Sequence, residues 1–130
     1  MRPEFYDIVV MPNQYGDIMS DMSGALQGSL GLAGSINAGD KYCFAEATYG
    51  SAPDIAGRGV SNPTSMILSM GMMLNWMGDK KGDKKLKEAW KSIDNAVDKV
   101  LSERRVRIPD LGGTNSTKEF GSSIVKAVLV

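Results

Sequence analysis

No histidine occurs among the 130 residues of this chain. A histidine general base, a Ser-His-Asp triad and a His-rich zinc site are thereby excluded within it. Cysteine is nearly absent as well. A single thiol, Cys43, forms neither an internal disulfide nor a Cys-rich metal site, and it fits a reducing, cytoplasmic setting. Net charge is missing too, because 15 basic residues balance 15 acidic ones. The broad basic field that nucleic-acid binding needs is therefore lacking. Long apolar runs are also lacking. The strongest, around Met66–Met77, is interrupted by Ser69, Gly71 and Asn75 and is too short for a membrane span. Met1–Val10 has no signal-peptide layout, since Glu4 and Asp7 break a very short apolar run. What is present is a globular composition, 42% apolar and 23% charged, with length enough for one core.

Local patterns predict an alternating α/β order. The β-branched run Ile8-Val9-Val10 within Tyr6–Met11 reads as a short buried strand, and Asn13–Gly16 as loop. Ile18, Met22, Ala25 and Leu26 recur at helical spacing, which predicts a helix over Asp17–Leu30. Gly28–Gly39 reads as a compact loop, Tyr42–Ala47 as a second strand, and Tyr49–Asn62 as an ordered loop. Asn62-Pro63 is a helix start, Asn as the capping acceptor and Pro at the first helical position. That helix is expected to run to a C-cap at Gly78, with Met66, Ile67, Met70, Met73, Leu74 and Met77 forming a core-facing stripe. Asp79–Lys85 reads as a charged exposed loop. Leu86, Ala89, Trp90, Ile93, Val97, Val100 and Leu101 mark a further amphipathic helix. Arg104, Arg105 and Arg107 suit the negative end of its dipole. Ser116-Thr117-Lys118-Glu119 is a capping box that starts a last helix through Phe120, Ile124 and Val128.

Two clusters could carry chemistry. Asp17 and Asp21 stand four apart, so one helix face holds both carboxylates. Such a pair is either a solvated face or a set of hard oxygen ligands suited to Mg²⁺ or Mn²⁺. The second cluster is the loop Gly50–Asn62. Gly57-x-Gly59-x-x-Asn62 lacks the last glycine of the Rossmann fingerprint and follows loop rather than strand. The segment is either an ordinary surface loop in which Asn62 caps a helix, or a nucleotide loop. In the second case Asp54 would accept ribose hydroxyls and repel a 2′-phosphate.

Three stretches together resemble the carboxy-terminal part of the β-decarboxylating dehydrogenases, the isocitrate and 3-isopropylmalate dehydrogenase family. They are Asn13-Gln14-Tyr15-Gly16-Asp17-Ile18-Met19-Ser20-Asp21, Gly50–Pro63 and Pro109-Asp110-Leu111-Gly112-Gly113, in family order and with family-like spacing. The resemblance implies an α/β fold, a piece of the family's large domain with few strands, about four helices and an incomplete sheet. It implies oxidation of a 2-hydroxy acid at C2 by NAD, then decarboxylation with Mg²⁺ or Mn²⁺. It places the metal at Asp17 and Asp21. It places the cofactor at Tyr49, Gly50, Ser51, Ala52, Pro53, Asp54, Ile55 and Asn62, with Asn62 at the adenine. Asp54 and Ile55 stand where NAD-using members carry an acid and an aliphatic residue. Gly113 stands where NADP-using members carry an arginine.

Departures from the pattern shape the remaining expectations. Tyr49 replaces the family's usual histidine, and Glu46-Ala47-Thr48 leans toward isocitrate-type members over isopropylmalate, homoisocitrate, tartrate or malate ones. The family's substrate clamps and its catalytic Tyr and Lys lie upstream of the matching part, so no catalytic residue is assigned. Residues 1–130 read as a single partial domain, inactive alone. It is expected to pair with a second copy or a complementary upstream chain, with a non-catalytic nucleotide-binding chain as the alternative.

Overall fold

The computed structural model describes residues 3–129. Among the described residues there are four helices and one antiparallel hairpin, with short 3-10 turns in several connections: α1 Asn13–Leu26, β1 Gly34–Ala38, β2 Cys43–Ala47, α2 Thr64–Lys81, α3 Lys84–Glu103 and α4 Thr117–Val128. β1 pairs with β2 from Gly34↔Ala47 to Ala38↔Cys43. The expected α/β segment with few strands and an incomplete sheet is what is found.

A small core lies where α3 and α4 meet. Ala96, Val97 and Val100 of α3 close on Phe120 and Ile124 of α4, with Ile108 from the connecting segment. Ile67 and Leu68 of α2 pack on its edge. These positions repeat at helical spacing, so burial of one face drives both helices. The Ser116–Glu119 capping box forms as predicted.

The hairpin is held differently. α2 turns a row of small polar residues to it, with Leu68 and Met72 beside them where Gly34 approaches. Thr64, Ser65 and Ser69 are fully buried, whereas Met66 and Met70 are each 47% exposed. Ser69 Oγ lies 2.7 Å from both the Glu46 and Ser65 carbonyl oxygens, to which it donates, and accepts from Ser35 N at 2.9 Å. Ser65 Oγ donates to Ala33 O at 2.5 Å and accepts from Thr48 N at 3.2 Å. A Cβ at Gly34 would stand 3.0 Å from Leu68 Cβ and 3.2 Å from Ser69 N, so the strand lies directly on the helix. Close approach needs small side chains on both elements, and Met66 and Met70 are left to the outer face.

Several expectations fail for related reasons. Gly28–Gly39 is not all loop, because Gly34–Ala38 is β1, small where it meets α2. Tyr6–Met11 is no strand; Ile8 is 82% and Val10 91% exposed, and β1 and β2 form the sheet among the described residues without them. A β-branched run becomes a strand only beside a partner. Asn13–Gly16 is the first turn of α1, closed by Gly16 N donating to Pro12 O at 2.9 Å. α2 does not stop at Gly78, which is buried where Lys87 and the Asp83 carbonyl approach. It ends at Lys81 with Gly82 in the left-handed conformation, φ 64°. Asp83 then caps α3, so most of the expected Asp79–Lys85 loop is helical.

Ser69→Ala removes one acceptor and one donor from a fully buried seam while creating little void. It is expected to cost about 1–3 kcal/mol, the range for stranding buried partners. Urea unfolding should show a lower midpoint with an unchanged slope.

Candidate functional site

The Gly50–Asn62 segment leaves β2 and returns to the start of α2. Gly50, Ala52, Gly57 and Gly59 all have positive φ, Ala52 at 40°. A left-handed non-glycine residue costs about 1–3 kcal/mol and persists only where its surroundings fix it. Here Ala52 opens the 3-10 turn Pro53–Ile55, whose Ile55 N donates to Ala52 O at 3.1 Å. The far side of the loop rests on α4. Thr117 N donates to Gly59 O at 2.8 Å and Thr117 Oγ1 to Ser61 O at 2.6 Å.

Two hollows flank the loop. One, of about 400 Å³, is lined by residues including Tyr49, Gly50, Ser51, Ala52, Ile55 and Thr117. The other, of about 170 Å³, is lined among others by Tyr49, Ala52, Ile55, Val60, Asn62 and Asp110. Tyr49, Ala52 and Ile55 are common walls. Pro53 and Asp54 line neither hollow; Asp54 is exposed on the 3-10 turn. Asn62 is 5% exposed and caps α2 as predicted, its Oδ1 accepting from Thr64 N at 3.0 Å. Its Nδ2 donates to Asp110 Oδ2 at 2.9 Å.

Asp17 and Asp21 are both exposed on α1 and line a polar hollow of about 360 Å³ with Ser20, Ser35, Glu46 and Thr48. Gly50 borders this hollow and the larger loop hollow alike, so the two predicted clusters are neighbours. Among the described residues no three Asp, Glu, Cys or His side chains are arranged to hold a metal ion. Sequence reasoning missed Glu46, Thr48, Ser61, Thr117, Ser29 and Asp110 as lining residues. Asp110 and Ser61 stood in the quoted family stretches, Glu46 and Thr48 in the stretch that leans toward isocitrate-type members and Thr117 in the capping box; Ser29 carries no local signal.

Comparison with known proteins shows the family to which the chain belongs. The family model for isocitrate/isopropylmalate dehydrogenase matches residues 1–124, and the chain belongs to that family. It is 49% identical over 128 residues to an isocitrate/homoisocitrate dehydrogenase of Thermus thermophilus, covering 98% of this chain and 36% of that protein. Over 124 residues it is 44% identical to the mitochondrial NAD isocitrate dehydrogenase catalytic subunit 5 of Arabidopsis thaliana, covering 95% and 31%. The crystal structure of isocitrate dehydrogenase from Methylococcus capsulatus superposes with a TM-score of 0.87 at 38% identity, over 98% of this chain and 36% of that one. The chain thus spans about a third of the length of these relatives.

The α4 cap that supports the loop is pH-sensitive. Ser116 N–H, donating to Glu119 Oε2 at 2.7 Å, and then the Ser116 hydroxyl hold the Glu119 carboxyl below its ordinary pKa. A carboxylate depressed in the folded state stabilises it fully above the unfolded value of about 4.3. That stabilisation is lost as pH falls through the lower folded value. Glu119→Gln is expected to flatten the fall in unfolding free energy between about pH 5 and pH 3. Denaturant titrations of parent and variant across that window check it.

Proposed function

We propose that this chain is the carboxy-terminal, cofactor- and metal-binding part of an NAD-dependent, Mg²⁺- or Mn²⁺-dependent oxidative decarboxylase of a small 2-hydroxy acid, isocitrate foremost. The observation that carries this reading is the juxtaposition of the Gly50–Asn62 loop hollows with the Asp17/Asp21 hollow across Gly50. A dinucleotide and a divalent ion must sit side by side for a hydroxyl carbon to be oxidised while its oxygen is held. When bound, NAD supplies the electron-pair acceptor and the metal supplies positive charge at the substrate's oxygens.

The residues fit both groups in part. Ile55 and Ala52 offer apolar wall to an adenine, Asn62 an amide at its edge, and Asp54 two acceptor oxygens for ribose hydroxyls. Left-handed Gly57 and Gly59 have nothing within 4 Å of a would-be Cβ, leaving space for a ligand backbone. Asp17 and Asp21 present hard, water-accessible oxygens of the kind Mg²⁺ and Mn²⁺ prefer. Two carboxylates are an incomplete set, so further ligands must come from elsewhere in the assembly. Exposed apolar residues, among them Ile8, Val10, Met22 and Leu26, offer a face for that remaining polypeptide or for a second copy. This reading keeps the cytoplasmic setting expected from the sequence, with neither nucleic acid nor membrane as partner. Among the described residues no helix is long and apolar enough to cross a membrane.

NAD is favoured over NADP at two places. Asp54 would face a 2′-phosphate with like charge. Gly113 offers no cation for that phosphate, and a Cβ there would overlap the Arg107 carbonyl, so an arginine would require the turn to shift.

The chain by itself is expected to reduce no NAD with isocitrate or 3-isopropylmalate, since it holds no assigned acid, base or substrate clamp. Metal-dependent NADH formation by the purified chain would refute this. Selectivity is tested in a chimera joining the upstream part of a relative to this chain. Charge-assisted hydrogen bonds to the ribose hydroxyls are worth roughly 1.5–3 kcal/mol each. The kcat/KM for NAD should therefore exceed that for NADP by about a hundredfold or more. Asp54→Lys with Ile55→Tyr should weaken NAD and improve NADP. A chimera that prefers NADP sinks the reading of Asp54.

A further inference from the structure

A ring of contacts closes behind the smaller loop hollow, and its centre is a carboxylate that sequence reasoning left without a role. Asp110 belongs to the 3-10 turn Pro109–Leu111. Its Oδ2 accepts from Asn62 Nδ2 at 2.9 Å and from Ser29 Oγ at 2.5 Å. Ser29 Oγ in turn accepts from Gly31 N at 3.0 Å. Gly31 closes the ring by lying flat on Asn62, where an added Cβ would stand 2.5 Å from Asn62 Cβ. Ser29, Gly31, Asn62 and Asp110 thus form one polar wall of the 170 Å³ hollow, facing Tyr49 and Ile55.

We propose that Asp110 is a positioning residue for this hollow, fixing which end of the buried Asn62 carboxamide faces α2. The two ends of a carboxamide are almost the same shape, so packing against Gly31 does not choose between them. Chemistry does: the oxygen only accepts and the NH₂ only donates. A carboxylate only accepts, so Asp110 requires the NH₂ on its side and sends Oδ1 to Thr64 N. The flipped amide would set NH₂ against N–H and oxygen against carboxylate, repulsive at both ends. Asp110 therefore defines the pattern of donors and acceptors that Asn62 offers a ligand in this hollow. The role rests on the dinucleotide reading given above.

The test uses the 130-residue chain with NAD as the probe. Its readouts are hydrogen exchange at the Asn62 side-chain NH₂ by NMR, and NAD affinity by titration. Asp110→Ala should speed exchange at least tenfold and weaken NAD at least tenfold. Asp110→Asn keeps an amide oxygen able to accept from both partners and should stay within threefold of the parent in both. Ser29→Ala, which removes one anchor of the carboxylate and leaves Asn62 its partner, should fall between. Asp110 is exposed, so its replacement leaves the α3–α4 core untouched. Unchanged exchange or unchanged affinity in D110A overturns the role. Loss in D110N equal to that in D110A overturns it too, because an acceptor at position 110 would then act no better than none. A parent that binds no NAD, with exchange still slow, overturns the dinucleotide reading and this role with it.

Discussion

Everything that positions the candidate site hangs on the first two turns of α2, where Ser65 and Ser69 replace the apolar contacts usual between a helix and a sheet. A two-stranded hairpin is at best marginal in water. This one is held by hydroxyls that bond the Ser35 amide and the Ala33 and Glu46 carbonyls. Those bonds do two jobs. They satisfy hairpin polar groups that burial would otherwise strand, and they bring backbone to backbone more closely than leucines would allow. They also fix where the loop begins. Ser65 accepts from Thr48 N just after β2, while Asn62 and Thr64 hold the loop's other end one turn away. Both anchors lie on one rigid helical turn, so the closure of the loop is set by α2 rather than by the loop's own glycines. Thr117 of α4 adds the third support.

The same economy explains the molecule's uneven surface. The apolar core is confined to α3, α4 and Ile108, and α1 contributes no buried large side chain to it. α1 turns Ile18, Met19 and Met22 outward as well as Asp17 and Asp21. A helix that exposes both apolar and acidic residues has an unfinished environment. Water tolerates the two acids four residues apart, because their repulsion is weak at high dielectric. Burying the apolar residues under further polypeptide would lower that dielectric and sharpen the acids' attraction for a cation. Completion of the fold and completion of the proposed metal site are then one event.

How much of this was legible depended on whether the signal was local. The apolar spacing of α3, the Ser116–Glu119 box and the Asn62 cap are patterns within a few residues, and each formed as read. β1 was invisible because Gly34 and Ser35 are small for contact with α2, the opposite of strand propensity. The methionine stripe held in part: Ile67 packs on the core edge and Met73, Leu74 and Met77 are half-buried, whereas Met66 and Met70 are exposed. Hydrophobicity suggested an inward face, but the neighbour across α2 is a hairpin needing hydrogen bonds and room. Ile8-Val9-Val10 has the composition of a strand and lacks a neighbour. In the site, the loop and the aspartate pair could be singled out by spacing and by resemblance. Ser29 and Asp110, 81 positions apart, could not, since nothing in either segment announces the other.

Long-range contacts also decide what position 113 can be. Read along the chain, Gly113 is a small residue in a turn where a longer cationic one could stand. In three dimensions it is pinned. Its N–H donates to Ile108 O at 2.9 Å, and Asn115 clasps Arg107 on both sides, N to carbonyl at 2.9 Å and Oδ1 from amide at 3.0 Å. Any Cβ at 113 meets the Arg107 carbonyl, a backbone atom that those bonds prevent from giving way. An arginine there would require opening the 107–115 turn, which carries Ile108 into the core and Asp110 to Asn62. Under the NAD reading, the missing cation at position 113 would act beside the exposed carboxylate of Asp54 against a 2′-phosphate. The turn would have to shift to admit the longer side chain, and that shift would reach both the core at Ile108 and the wall of the hollow at Asp110.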